Sequence, residues 1–479
     1  MRASRASKTL FYGAACALIV AAALIRVRAA INDLWMDEIW SIELVRELHS
    51  ALGVFTQTHH DNNHYLNSLF IYFLGQRGNW PGYRMLSELA GIGAIVLAWF
   101  IGARQGKWTA FFCMLLVSFS YVLILYSSEA RGYAPLIFFC FACFLILHRF
   151  LEKPRWPLAV LFSVCAILGF ASHLTFFIFA GASLVWFGVC LHRIKFPIRQ
   201  IASWTLACYA APFISLLALY LVDIRYLQIG GGTPITVFDG YRMMLAWALG
   251  GPNAAQFQLF TASISIIALA IGLWGLIRKG SDDWVFYLGA IVIAPLAMAF
   301  IDRGTLHYVR YFVVALAFLL LLFGRLLGSL FQSGRTGKIA CGFVCLLFVA
   351  LNSWDVGTLF AYGRGHIADA INFMAQSAST QPLAFGGEQD FRIQFVLAFY
   401  WREMMAGKPA DYYDHEHWPS EGPDWVIFHK ESFRQPVMPG RRFTDKFGNW
   451  FELVRTFPTA PLSGVHWFLY RKIRTAETR

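Results

Sequence analysis

Charge is scarce in this sequence. Of its 479 residues only 14% are Asp, Glu, Lys or Arg, whereas 58% are hydrophobic. Soluble globular domains carry about 25% charged residues, so the composition excludes an ordinary soluble protein and predicts an integral membrane protein. Because a spanning helix takes about 20 apolar residues, the chain is long enough for about ten spans and one modest soluble domain.

Acidic residues are scarcer than basic ones: there are 28 Asp and Glu against 40 Lys and Arg, a net charge of +12. In a soluble protein this excess would suggest nucleic-acid binding. Here the basic residues lie in short loops between apolar segments, as the positive-inside bias of membrane proteins produces. We therefore exclude nucleic acid as a partner and expect a lipid bilayer around the chain.

The sequence also lacks a disulfide framework and internal repeats. All nine cysteines fall inside apolar segments, and Cys140 and Cys143 form a C-x-x-C without the second pair that a zinc site needs. Packing as small apolar side chains is the simpler interpretation. The chain is predicted to be neither a disulfide-stabilised secreted domain nor a repeat protein.

Eleven apolar segments are predicted to span the membrane. The first follows Arg2, Arg5 and Lys8 and is expected to be an uncleaved helix, which places the N-terminus in the cytoplasm. The eleven segments are 10–25, 84–103, 108–126, 132–148, 157–172, 174–191, 201–222, 257–277, 284–301, 310–329 and 338–355.

With eleven spans, successive loops lie on opposite sides of the membrane, and basic and acidic residues are distributed differently between the two sides. The loops predicted to be cytoplasmic are basic, whereas carboxylates collect on the opposite, outer face. The outer segments are the long first loop (31–83), the turn 127–133, the loop 223–256 and residues 302–310. We expect the functional residues among these outer carboxylates and the cations beside them.

After about residue 356 the apolar segments end and a soluble α/β domain is predicted. Helical periodicity covers 366–378 and 391–407, and residues 425–430, 449–457 and 465–472 alternate like strands. The predicted domains are thus 1–355 in the membrane, with the first outer loop included, and 356–479 outside it. The predicted fold class is an α-helical polytopic membrane protein with a C-terminal soluble α/β domain.

The first outer loop contains two adjacent carboxylates, Asp37 and Glu38, in the sequence LWMDEIWS (34–41). Helical spacing around 33–52 and 64–76 predicts short helices at the membrane surface. Neighbours on a helix point about 100° apart, so the two carboxylates cannot face one target equally. We expect one of them to act and the other to support it.

Between these two helices lies the polar sequence THHDNNHY (58–65), which holds several candidate pocket residues. One interpretation is a polar pocket for a sugar or an acceptor. The other is a divalent-cation site, because His60 and His64 have i, i+4 spacing, although the intervening Asp-Asn-Asn resists a helix. The candidates are His60, Asp61, Asn63, His64 and Tyr65.

Two further outer-face sequences carry charge at the ends of spans. In SSEARGY (127–133), Glu129 and Arg131 are functional candidates, since a charge at the membrane interface is costly unless it is used. In HYVRYF (307–312), Arg310 has His307, Tyr308 and Tyr311 around it, donors that suit an anion. His173, also near an outer end, is given a structural role and no ligand.

These groups suit transfer of a sugar from a lipid phosphate. The leaving phosphate needs cations, for which Arg131 and Arg310 are candidates, and the incoming hydroxyl needs a base, for which Asp37 is the candidate. Nucleoside-diphosphate sugars are made in the cytoplasm, so an outer-face reaction needs a lipid-carried donor.

The order of these motifs resembles the GT-C glycosyltransferases, and within them the branch with the protein O-mannosyltransferases and the lipid A aminoarabinose transferases. The resemblance covers about residues 10 to 330. The motifs are WMDE, HHDNNHYLNSLF, RMLSELAG, SSEARGYAPL and HYVRYFVVALAFLLLL. The sequence departs from many relatives at HHDNNHY, where they have His-Pro-Pro.

The resemblance implies a GT-C membrane fold, a polyprenyl-phosphate sugar donor (hexose or pentose) and an acceptor that is a glycolipid, a polysaccharide or a protein. By position it implies Asp37 as base or acceptor guide, with Glu38 as the alternative. It also implies a bacterial inner membrane with the C-terminal domain in the periplasm. A flippase for lipid-linked sugars and a membrane anchor for a binding domain are the competing hypotheses.

Overall fold

Apolar helices dominate the computed structural model, which describes residues 2–75, 80–232, 234–251, 255–301, 307–376, 382–388, 390–431 and 440–473. The chain divides into two compact units. The membrane unit comprises residues 1–30, 44–75 and 82–354, and the second unit comprises 31–43, 76–81 and 355–479. The second unit thus includes part of the first outer loop as well as the C-terminal region.

The α-helices follow one another along the chain with short connections, joined by single turns of 3-10 helix at 224–226 and 309–312 and by a π-helical turn at 289–293. The helices are α1 (Arg2–Ala30), α2 (Met36–Arg46), α3 (Gly53–Thr56), α4 (Tyr65–Leu74), α5 (Trp80–Ala103), α6 (Lys107–Phe119), α7 (Tyr121–Ser127), α8 (Tyr133–Glu152), α9 (Trp156–Ser172), α10 (Phe176–Arg193), α11 (Ile198–Val222), α12 (Val237–Trp247), α13 (Ala255–Arg278), α14 (Asp283–Leu288), α15 (Ala294–Ile301), α16 (Val313–Gln332), α17 (Arg335–Tyr362), α18 (Ile367–Gln376) and α19 (Asp390–Met404).

Eight helical segments in the described part of the chain are long and apolar enough to cross a membrane, and α6 with α7 makes a ninth if the bent pair is one span. Shorter apolar helices account for the remaining two predicted segments, in α9 and across α14 and α15. Each of the eleven predicted segments therefore coincides with a helix. The predicted fold class, a polytopic helical membrane protein with a C-terminal sheet, is confirmed.

A buried arginine stabilises the break between α6 and α7, which meet at 62°. Arg26 of α1 donates to the carbonyl oxygens of Val117 (3.0 Å) and Ser118 (3.1 Å), two of the acceptors that the end of α6 leaves without helical partners. The Asn352 side chain accepts from the Tyr121 N–H at 2.8 Å. The bend thus has its backbone groups paired on both sides.

The second unit contains one six-stranded mixed sheet in the order β2-β1-β3-β6-β5-β4. Strand β1 pairs in parallel with β2 and β3, and the other neighbours pair antiparallel. One face buries a cluster that includes Trp418, Phe451 and Tyr470. The strands are β1 (Leu383–Gly387), β2 (Ala410–Tyr413), β3 (Trp425–Glu431), β4 (Arg442–Thr444), β5 (Trp450–Phe457) and β6 (Val465–Lys472).

Residues 31–43 belong to this second unit because their side chains pack within it. The Trp40 ring lies 5.0 Å from that of Phe395, the Tyr400 hydroxyl donates to the Leu34 carbonyl at 2.7 Å, and Glu43 pairs with Arg402 at 2.7 Å. The sequence placed this segment with the membrane domain, 1–355. In the structure, these contacts of the segment are made by α19, more than 300 residues further along the chain.

Candidate functional site in the membrane unit

The turn between α7 and α8 is fixed by side chains from other helices. Asn67 of α4 donates to the Ala130 carbonyl at 2.7 Å, and Ser87 of α5 donates to the Arg131 carbonyl at 2.8 Å. The Gly132 N–H donates to Nδ1 of His64 at 2.7 Å. The SSEARGY turn is therefore rigid at the point where Arg131 leaves it, and Glu129 is fully buried within it.

His64 is held in one orientation and one tautomer. Its Nδ1 accepts a hydrogen bond from a backbone N–H, so in the neutral ring the proton is on Nε2. Nη2 of Arg131 lies 3.4 Å from this Nε2 and 3.4 Å from the Tyr133 hydroxyl. Two hydrogen-bond donors, a guanidinium and an imidazole N–H, thus stand side by side.

His173 has the same arrangement at the end of α9. Its Nδ1 accepts from the Thr175 N–H at 3.1 Å and lies 2.8 Å from the Thr175 hydroxyl. The ring centroids of His64 and His173 are 4.8 Å apart, and Tyr133 is 4.8 Å from His173. The two histidines therefore form one cluster, and both present the Nε2 edge away from the backbone.

A cavity of about 260 Å³ opens beside this cluster, close to the lower end of the usual size of small-molecule sites, about 300 Å³. Its polar wall includes His60, Asp61, His64, His173 and Tyr311. The rest is largely apolar, and that wall is formed by Phe170, Ala171, Leu174, Phe177, Leu227, Ile229 and Met298. Such a cavity suits a ligand with a polar head and a hydrocarbon part.

Burial and nearby cations keep the two histidines neutral. Burial lowers the pKa of His64 well below its ordinary value, and Arg131 and Arg310 lower it further. Burial, with the same two guanidinium groups, lowers the pKa of His173 to about 3. Both rings are thus N–H donors without charge at physiological pH, and the positive charge of the cluster belongs to the arginines.

The loop 58–64 is joined to the loop after α11. The ring Nδ1 of His59 donates to the buried Asp223 carboxylate at 2.5 Å, and the Tyr65 hydroxyl donates to the same carboxylate at 2.7 Å. The burial of Tyr65 and this contact with Asp223 raise the pKa of its hydroxyl. Backbone bonds between 59–61 and Gln228 complete the junction, so two outer segments form one wall of the cavity.

Asn63 and Asp61 have different roles in this loop. The Asn63 amide donates to the carbonyls of Val54 (2.7 Å) and Thr58 (3.0 Å), and its oxygen accepts from Ser68 (2.9 Å), so it shapes the loop. Asp61 lies 2.9 Å from Nδ1 of His60. Although burial raises the pKa of Asp61, the contacts with His60 and the Arg131 charge lower it overall. Asp61 is therefore an ionised group on the cavity wall.

The HYVRYF segment contributes the second guanidinium. Arg310 lies over the Tyr308 ring (4.7 Å) and near that of Tyr311 (5.6 Å). His307 is almost fully buried, lines the cavity and has its Nδ1 3.3 Å from the Ile235 carbonyl. The influence of Arg310 on His64 and on His173 places it in the same electrostatic cluster as Arg131.

Asp37 and Glu38 lie in the second unit, at the start of α2. Glu38 is fully buried, its Oε2 accepts from the Trp35 N–H at 3.2 Å, and it pairs with Arg364 at 3.6 Å. Asp37 is 6% exposed, and its carbonyl accepts from the Ser41 hydroxyl at 3.0 Å. Glu38 thus has contacts that can support the first turn of α2.

The structure thus brings most of the sequence candidates together in the membrane unit and adds His173 and Tyr133 to them. The sequence signal for His173 was His-x-Thr at the end of a span, which ties Nδ1 to a backbone N–H. For the divalent-cation hypothesis on His60 and His64, the described residues offer no group of three metal-ligating side chains. The Nδ1 of His64 is also occupied, and its Nε2 faces a guanidinium.

No protein-family model matches the chain, and no curated protein matches it. Several solved chains are similar to it, among them the following two. One is ArnT from Cupriavidus metallidurans, crystallised with undecaprenyl phosphate: identity is 12%, the TM-score is 0.49, and the alignment covers 95% of this chain and 97% of that one. The other is the Archaeoglobus fulgidus oligosaccharyltransferase, in complex with zinc and sulfate: identity is 11%, the TM-score is 0.48, and 86% of this chain and 67% of that one are covered.

Both solved proteins are GT-C glycosyltransferases, the superfamily that the sequence motifs resemble.

Proposed function

We propose that this protein is a membrane glycosyltransferase that moves a sugar from a polyprenyl-phosphate donor to an acceptor hydroxyl. The observation that carries the proposal is the cavity of the membrane unit, where two neutral histidines adjoin apolar walls and feel the charges of two nearby arginines, Arg131 and Arg310. A lipid phosphate has the matching parts, an anionic head on a hydrocarbon chain. The acceptor is a glycolipid, a polysaccharide or a protein, and the sugar is a hexose or a pentose.

The reaction exchanges one bond to the sugar for another. The acceptor oxygen attacks the anomeric carbon, the bond from that carbon to the phosphate oxygen breaks, and its electron pair stays with the phosphate. The lipid phosphate gains one negative charge, and the acceptor proton passes to a base. A single displacement of this kind inverts the anomeric configuration.

The guanidinium groups of Arg131 and Arg310 stabilise the departing phosphate. Its negative charge grows as the glycosidic bond breaks, and fixed cations in a site with little water stabilise that charge more in the transition state than in the bound donor. The rings of Tyr308 and Tyr311 lie against Arg310, and His307 and Tyr308 are proposed as further donors to the phosphate. Glu129, buried in the SSEARGY turn, supports the conformation from which Arg131 extends.

Asp37 is the proposed base, and Glu38 its support. The contacts of Glu38 with Arg364 and the Trp35 N–H fix the first turn of α2, which also carries Asp37. Tyr65 and Asn63 maintain the loop, while Asp61 and His60 are left to recognise the sugar or the acceptor through hydrogen bonds. In this proposal the reaction occurs on the outer face of a bacterial inner membrane, with the C-terminal domain in the periplasm.

The experiment follows the product that every sugar and acceptor would share. Purified protein is incubated with lipids from an envelope extract that contains polyprenyl-phosphate sugars, and released polyprenyl phosphate is measured by mass spectrometry. Release is expected with the parent protein and not with Asp37→Asn. The matched control is Glu43→Gln. Glu43 lies on the same helix as Asp37 and pairs with Arg402 of α19, and its substitution should keep full activity. Equal release by parent and Asp37→Asn would refute the role of Asp37.

A further inference from the structure

We propose that His64 and His173 bind the phosphate of the donor directly, each through an Nε2–H that donates to a phosphate oxygen. The inference rests on the proposed function for the identity of the lipid and extends it to two residues. In the sequence, His64 was a candidate for the sugar or acceptor pocket, and His173 had no ligand role. Their geometry assigns both to the anion.

A hydrogen bond from a backbone N–H fixes the tautomer of each histidine. The Gly132 N–H occupies Nδ1 of His64 at 2.7 Å, and the Thr175 N–H occupies Nδ1 of His173 at 3.1 Å. A backbone N–H can only donate, so each Nδ1 is an acceptor and each neutral ring carries its proton on Nε2. Both side chains have this arrangement, and they come from two separate segments that meet with ring centroids 4.8 Å apart.

The contact between Arg131 and His64 indicates what the ligand must be. Nη2 of Arg131 is 3.4 Å from Nε2 of His64, and both atoms are donors, so they cannot hydrogen-bond to each other. An acceptor placed before the pair would accept from Nε2–H of His64, and a negative one would also interact with the Arg131 charge. A metal cation cannot take that position, because Nε2 has no lone pair to offer and a guanidinium is beside it.

The neutral state of the histidines fits the charge of a phosphodiester. A sugar linked through phosphate to a lipid carries one negative charge, and Arg131 and Arg310 already supply two positive ones. The titratable groups that face the rings are Arg131, Arg310, Tyr133, Tyr311 and Asp61. Additional N–H donors strengthen their bonds as the second phosphate charge develops.

The apolar wall selects the lipid among phosphate compounds. Leu174, Phe177, Leu227, Ile229 and Met298 line the same cavity as the two histidines. Inorganic phosphate leaves that wall without a partner, whereas an isoprenyl chain buries it. The ligand class is therefore a phosphate ester of a prenyl chain.

Two substitutions of each histidine test the roles of its two ring nitrogens separately. In His64→Asn and His173→Asn the side-chain oxygen can still accept from the backbone N–H, but the donor at the Nε2 position is lost. In His64→Gln and His173→Gln an amide N–H reaches toward the Nε2 position. Binding of farnesyl phosphate to the full chain in detergent is measured by calorimetry for all four variants.

The Asn variants should weaken farnesyl phosphate binding by about tenfold to a hundredfold, the value of a hydrogen bond to a charged group, and the Gln variants should retain much of the affinity. Nitrogen-15 NMR of histidine-labelled protein should show Nε2–H tautomers whose signals shift on adding farnesyl phosphate. Parent-like affinity in both Asn variants, or Nδ1–H tautomers, would overturn the proposal.

Inorganic phosphate and phosphatidic acid serve as the competing anions. Both should bind at least tenfold more weakly than farnesyl phosphate, and equal binding of either would refute the prenyl-phosphate assignment. The outcome is separable from that of the proposed function. If the protein binds farnesyl phosphate through these histidines but transfers no sugar, the binding site is supported and the glycosyltransferase function is refuted. If the protein transfers sugar and the Asn variants bind farnesyl phosphate as the parent does, the function is supported and the role of the histidines is refuted.

Discussion

Glu38 and Arg364 form an ion pair with both side chains fully buried, and Oε2 of Glu38 is 3.6 Å from Nε of Arg364. The two residues are 326 positions apart in the sequence. Glu38 also accepts from the Trp35 N–H at the first turn of α2, where a carboxylate interacts favourably with the helix dipole. The pair therefore anchors the segment that carries Asp37 to the C-terminal region of the same unit.

Arg364→Met should destabilise the second unit by about 3–5 kcal/mol, because it leaves the Glu38 carboxylate buried without its cation. The double variant Glu38→Gln with Arg364→Met should recover part of this loss. Thermal unfolding in detergent measures both. If the single variant were as stable as the parent, the pair would not anchor α2.

Arg26→Met should weaken the junction of α6 and α7. It removes the donors to the carbonyls of Val117 and Ser118, and each lost bond to a charged donor costs about 1.5–3 kcal/mol. Arg149→Met, at an exposed position near the end of α8, is the control. The melting temperature should fall for the first variant and change little for the second, and equal melting temperatures would contradict the role of Arg26.

Gly132→Ala should abolish prenyl-phosphate binding. A Cβ at Gly132 would collide with the Ser172 carbonyl oxygen and lie 3.1 Å from Cβ of His64, so the turn and the imidazole could not keep their positions. Gly181→Ala in α10 is the matched control, since its Cβ would meet no atom within 4 Å. Farnesyl phosphate binding is measured for both variants, and membrane insertion is checked by fractionation. Equal binding by the two variants would contradict the prediction.

The stability of the membrane unit should fall as the pH decreases below about 6.5. The pKa of His173 is about 3 in the folded protein against about 6.5 in an unfolded chain. Between these values the unfolded state binds more protons, so stability present above pH 6.5 is lost toward lower pH. The loss from this one group is roughly 2 kcal/mol between pH 6.5 and 5. The melting temperature should depend less on pH across this range in His173→Asn than in the parent protein. An equal pH dependence would contradict the account.

Periodicity and composition were sufficient for much of the fold. The eleven apolar segments coincide with helices, and the strands expected at 425–430, 449–457 and 465–472 match β3, β5 and β6 within one residue at each end. The strands β1, β2 and β4 were missed. β1 ends in two glycines, and β2 and β4 are only four and three residues long, so none has enough alternation to indicate a strand.

The candidate site was predicted less completely, because its decisive contacts are distant in the sequence. The outer-loop motifs identified Arg131, Arg310 and His64, which the fold brings into one electrostatic cluster. The role of His173 depends on a ring contact with His64 that no spacing reveals. Similarly, the pairing of Glu38 with Arg364 joins residues 326 positions apart, so no spacing on the predicted helix could reveal it.

The most direct measurement is mass spectrometry of the lipids that copurify with the protein from its membrane. The account predicts a polyprenyl phosphate or its glycosylated form, retained by the parent protein and lost from Arg131→Ala and from the double variant His64→Asn with His173→Asn. A preparation that carried only bulk phospholipid, or that retained the same prenyl lipid in these variants, would contradict the central claim that this cavity binds a lipid-phosphate donor.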